Sequence, residues 1–122
     1  MTPHTGIAAV AAAALSLMSS AAFAHAHLVR AVPAEGATVR EAPPEVVLSF
    51  SEKLEPAFSS AVVRDAAGKA LDAVAARVDK ADRTVVRVSV PPLAPGAYTV
   101  EWRVMSADTH RVNGSFNFRV GE

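Results

Sequence analysis

The side chains in this sequence best suited to chemistry are its histidines, of which there are four: His4, His25, His27 and His110. The chain has no cysteine, so thiolate metal sites, thiol nucleophiles and disulfides are excluded. His110 follows Asp108 by two positions in Asp108-Thr109-His110. In an extended segment, residues i and i+2 point to the same side, so this carboxylate and this imidazole can face one ion. An amino-terminal histidine would add two nitrogens at once, its α-amine and its ring Nδ1, which close a chelate ring on a single metal. Nitrogen and oxygen donors in a roughly square arrangement suit Cu(II), which also heads the divalent affinity order. Zinc prefers a tetrahedron. The ordinary alternative for Asp108 and His110 is a solvated pair in a loop, and for a terminal histidine an accident of processing.

Whether a histidine can be terminal depends on the first 24 residues. Ile7 to Met18 is an apolar run of 12 residues, followed by Ser19, Ser20, Ala21 and the small-x-small triplet Ala22-Phe23-Ala24. That is the layout of a secretion signal cleaved after Ala24. The run is too short to span a bilayer, which takes about 20 apolar residues. Removing 24 of the 122 residues leaves 98, beginning at His25, and residues 25–122 are expected to form one domain. Such a domain would be exported to the bacterial periplasm or cell exterior, without membrane insertion. Lys+Arg and Asp+Glu number 12 each, so the net charge is zero, and no basic block is evident. That balance argues against nucleic acid or an anionic membrane surface as a partner.

Soft donors are scarce once the signal has gone, because Met1 and Met18 leave with it and only Met105 of the three methionines remains. One Cu(II) site and no dedicated Cu(I) site are therefore expected. Met105 itself reads as an outward strand residue and gap-filler rather than an axial thioether ligand.

The elements that must hold these ligands are strands. Val46, Leu48 and Phe50 alternate with polar or outward positions, as do Val86, Val88 and Val90, then Tyr98, Val100, Trp102 and Val104, and finally Phe116, Phe118 and Val120. Period-two alternation of this kind marks half-buried strands. Partial alternation adds weaker strands over His27 to Val32, Ser60 to Asp65 and Ala73 to Val78, with a short helical turn over Leu71 to Val78 as the alternative. Turn signals separate them at Pro33 to Gly36, Pro43-Pro44, Asp65 to Gly68, Pro91-Pro92, Pro95-Gly96 and Asn113-Gly114. Short strands at this spacing predict an all-β sandwich or barrel of about seven strands. Leu93 to Tyr98, with its Pro-Gly turn and tyrosine, resembles the tyrosine corner of immunoglobulin-like sandwiches.

Several of these segments together resemble the CopC copper-resistance proteins of the bacterial periplasm. They are His25-Ala26-His27-Leu28 with Pro33-Ala34-Glu35-Gly36, Val46 to Glu52, Pro95 to Trp102, and Ser106 to His110 with Gly114, Phe116 and Val120. The resemblance covers essentially the whole of residues 25–122 and implies a cupredoxin-like Greek-key β-barrel. It also implies a Cu(II) site of the histidine-brace type, in which His25 matches the brace residue and Asp108 and His110 match the remaining ligands. Glu52 matches a glutamate near the family's copper, in an outer or weak role. The usual partner would be a CopD-like inner-membrane protein. The Met-rich loop that binds Cu(I) in some members has no counterpart here, since Phe58 to Val78 holds no methionine. His27, third in the processed chain, could form a competing chelate through the amine, two backbone amides and its own ring, or remain a neighbour of the brace.

The expected function is thus periplasmic copper binding, for sequestration, delivery or resistance, without catalysis. Two rivals stand beside it. One is a histidine-brace copper oxidase or monooxygenase, opposed by a carboxylate in the position oxygen needs and by a single Trp and Tyr, both on the expected core face. The other is a metal-free β-sandwich interaction module.

Overall fold

The computed structural model describes residues 26–122, so the signal segment, its cleavage point and His25 lie outside the described residues. Eight strands follow one another: β1 Leu28–Val32, β2 Thr38–Val39, β3 Glu45–Phe50, β4 Ser60–Arg64, β5 Val74–Val78, β6 Val85–Ser89, β7 Gly96–Met105 and β8 Arg111–Val120. A 3-10 turn at Pro56–Phe58 precedes β4. The strands form two four-stranded sheets, ordered β1-β3-β6-β5 and β2-β8-β7-β4. Of the seven strand connections only β5–β6 and β7–β8 stay within a sheet, so the chain is an all-β sandwich of the Greek-key kind.

The alternating residues drive this arrangement by turning one face of each sheet inward. Val46 and Leu48 from β3, Val86 and Val88 from β6, Val63 from β4 and Val100 from β7 are wholly buried where the sheets meet. Tyr98 stacks on Phe118 with ring centroids 5.5 Å apart, and its hydroxyl donates a hydrogen bond to the Ala94 carbonyl at 2.5 Å. That is the tyrosine corner expected from the sequence, fixing the entry of β7.

Two sequence expectations need correction. Asn113-Gly114 is not a turn: both residues lie inside β8, paired with Arg103 and Trp102. A Cβ on Gly114 would come within 3.0 Å of several Trp102 ring atoms, so glycine is there because an aromatic ring crosses the strand, a recognised use of strand glycine. Met105 does not face outward. It is buried at the end of β7, where its N–H donates to the Ser59 hydroxyl at 3.0 Å. The segment after Leu71 is a strand from Val74 and not a helical turn. β2, only two residues long and parallel to β8, carries no pattern long enough to be read beforehand.

Candidate metal centre

The paired ligands sit on the connection between β7 and β8. These strands are in continuous register from Gly96 opposite Val120 to Met105 opposite Arg111, so the turn must form at Ser106 to His110. Ser106 N–H donates to the His110 carbonyl at 2.9 Å, and Thr109 N–H donates to the Ser106 carbonyl at 2.8 Å. Ala107, Asp108 and Thr109 are left as a three-residue loop whose last member is left-handed, with φ of 73° at Thr109. That is a common hairpin connection, usually made with glycine at the left-handed position. Asp108 and His110 are therefore brought together by a tight turn and not by the extended backbone that the spacing suggested.

The result is a fixed pair. His110 Nδ1 lies 3.2 Å from Asp108 Oδ1, with both side chains about half exposed. Ser106, 1% exposed, donates its hydroxyl to the same Asp108 oxygen from beneath. The Ser106 hydroxyl, and after it His110, hold the Asp108 carboxyl below its ordinary range. That separation is the span of a hydrogen bond between the imidazole and the carboxylate, and an ion taking both donors would have to displace the proton between them.

A strip of chain joins this turn to the start of β1. At one end, Ser51 N–H donates to the His27 carbonyl at 2.9 Å. Towards the other, Ala107 N–H donates to the Lys53 carbonyl at 2.9 Å, Leu54 bridges Ser106, and Glu55 N–H donates to the Met105 carbonyl at 2.8 Å. Ser51 to Glu55 thus ties the first strand of one sheet to the β7–β8 turn of the other. Glu52 lies on this strip, half-buried. His27 is exposed and belongs to Ser51: its N–H donates to the Ser51 hydroxyl at 3.0 Å, and its Nδ1 lies 3.1 Å from that oxygen.

Of the residues expected at the site, Asp108 and His110 are in contact, His27 and Glu52 lie on adjoining segments, and His25 is outside the described residues. Among the described residues no group of three or more His, Asp or Glu converges as a complete metal cage. Sequence reading missed Ser106 and Ser51. Ser106 precedes Asp108 by two positions, a spacing at which a hydroxyl can reach a neighbouring turn, and that signal was present. Ser51 had none. The aromatic side chains near this end differ in exposure. Trp102 packs edge-on against Phe50 at 5.1 Å, and Phe58, the one largely exposed aromatic among the described residues, lies 6.0 Å from the Arg111 guanidinium.

These features define a small two-sheet β domain carrying a carboxylate–imidazole pair at one end. Residues 28–121 match the family model of the CopC domain, and the chain belongs to the CopC family. It is similar to copper resistance protein C of Xanthomonas campestris pv. juglandis, with 41% identity over 113 residues and 88% of each chain covered. The crystal structure of CopC from Methylosinus trichosporium OB3b matches with a TM-score of 0.74 at 36% identity, covering 80% of this chain and 94% of that one. PcoC, described as a methionine-rich copper resistance protein from Escherichia coli, matches with a TM-score of 0.68 at 33% identity, covering 80% of this chain and 99% of its own.

Proposed function

We propose that this chain is a periplasmic Cu(II)-binding protein serving copper resistance or delivery, and that it takes one ion after residues 1–24 are removed as a signal peptide. In that form His25 is the first residue and supplies its α-amine and ring Nδ1, while Asp108 and His110 complete a nitrogen-rich square. The observation that carries this reading is the pair itself: a carboxylate and an imidazole nitrogen 3.2 Å apart on a turn pinned from below by Ser106. Relatives named as copper resistance proteins, matched over most of the chain, support the metal. Oxygen and nitrogen donors favour Cu(II), and a separate Cu(I) site is not part of the proposal. A carrier suits the proposed site better than an oxidase, because Asp108 as fourth ligand would fill a position that oxygen needs. The transfer partner would be a CopD-like membrane protein.

The test is one added residue. In a chain with one residue before His25, its nitrogen is an amide and cannot serve as the amine ligand. That protein should fold normally yet lose most of its Cu(II) affinity and its square-site spectrum, whereas replacement of His27 in the processed protein should do far less. Equal affinity with and without the added residue would remove the amine from the ligand set and overturn the brace.

A further inference from the structure

A processed chain that begins His25-Ala26-His27 carries, in its first three residues, donors for two competing copper sites. A histidine in third place allows the amine, the amides of residues two and three, and the imidazole Nδ1 to close a planar four-nitrogen chelate, with both amide protons passing to solvent. Such a chelate draws all four donors from three consecutive residues and leaves Asp108 and His110 out. The fold engages the donors this mode requires. The His27 amide is already donating to the Ser51 hydroxyl at 3.0 Å, and the His27 Nδ1 lies 3.1 Å from the same oxygen. With the ring proton on Nε2, one Ser51 hydroxyl accepts from the amide and donates to Nδ1. Ser51 N–H also holds the His27 carbonyl at 2.9 Å, and Ala26 is buried in the core at 1% exposure.

We infer that Ser51 is a specificity-determining residue, which ties up the His27 amide and Nδ1 and so directs Cu(II) away from the amino-terminal chelate to the Asp108–His110 turn. The inference rests on the reading of His25 as the processed first residue. Ser51 needs no contact with the metal to act in this way. It acts through His27, by making the competing mode give up two hydrogen bonds before copper can enter.

The two sites are separated in a processed protein carrying Asp108→Ala and His110→Ala, where only the amino-terminal donors remain. In that background, Ser51→Ala should strengthen the His27-dependent, four-nitrogen component of Cu(II) binding by about tenfold, as removal of two hydrogen bonds would. Ser51→Thr, which keeps the hydroxyl, should leave it at the starting level, and His27→Ala should abolish it. Binding that is the same with serine and alanine at position 51 would overturn the inference. So would a gain that persists without His27. Failure of the proposed function is read from a different arm: if Asp108→Ala with His110→Ala leaves copper binding of the parent unchanged, the turn is not the site and Ser51 directs nothing towards it.

Discussion

Asp108 is exposed, yet its acidity is set by a buried neighbour. The Ser106 hydroxyl donates to the carboxylate, and His110 adds to the effect, so the folded carboxyl titrates below its usual range. A group depressed in this way contributes stability above the ordinary carboxylate range and loses it as pH falls through the lowered value. Asp108 therefore stays ionised across the window in which copper binding should change. Imidazoles and α-amines ordinarily titrate near about 6.5 and about 7.7–8.0 and bind metal only when deprotonated. Cu(II) affinity should accordingly fall by at least about tenfold between about pH 8 and pH 5, with protons released on binding. Isothermal titration in buffers of different ionisation enthalpy would count those protons. Ser106→Ala should move the Asp108 carboxyl back up toward the ordinary range, read by carbon-detected NMR. An Asp108 titration that ignores the loss of Ser106 would show that the hydroxyl does not set it.

The β7–β8 turn holds a branched residue where hairpins usually place glycine. A left-handed, β-branched residue costs on the order of 1–3 kcal/mol. Thr109→Gly should relieve that strain against the greater flexibility of glycine when unfolded, for a net gain of about 1 kcal/mol in urea denaturation. Loss of stability on this change would mean that Thr109 contributes more than its backbone costs. The strands on either side of this turn were partly legible in the sequence. Alternation gave the outer half of β8, from Phe116, but Asn113-Gly114 has the composition of a turn, and only the Trp102 ring on the facing strand explains its place in a sheet. Asp108 and His110 could be picked out by residue type and spacing, although the backbone that joins them is a turn. Ser51 could not be found at all, because a hydroxyl acquires a partner 24 positions away only once β1 and β3 are paired.

Across the whole molecule, the proposed ligands come from both sheets. His25 precedes β1 of one sheet, and Asp108 and His110 lie between β7 and β8 of the other. An ion held by all three would fasten the two sheets together at one end, where the Ser51 to Glu55 strip already links them. Copper that binds the folded chain alone, at a free concentration a hundredfold above its Kd, should stabilise it by about 2.7 kcal/mol. For a domain of this size that raises Tm by on the order of 10 °C in calorimetry. The protein with one residue added before His25 should show a much smaller rise, and an equal rise would place the stabilising ion elsewhere. The topology also sets an order of assembly. β7 and β8 share ten register pairs across a five-residue connection, whereas β1 meets its partner β3 only after the chain has passed through the other sheet. Contacts close in sequence form on the microsecond scale, before long loops repay their closure entropy. The hairpin bearing Asp108 and His110 is thus expected to be half a metal site while the amino terminus is still unattached. If so, the gain from Thr109→Gly should register in stopped-flow experiments as faster folding, with the unfolding rate left nearly unchanged.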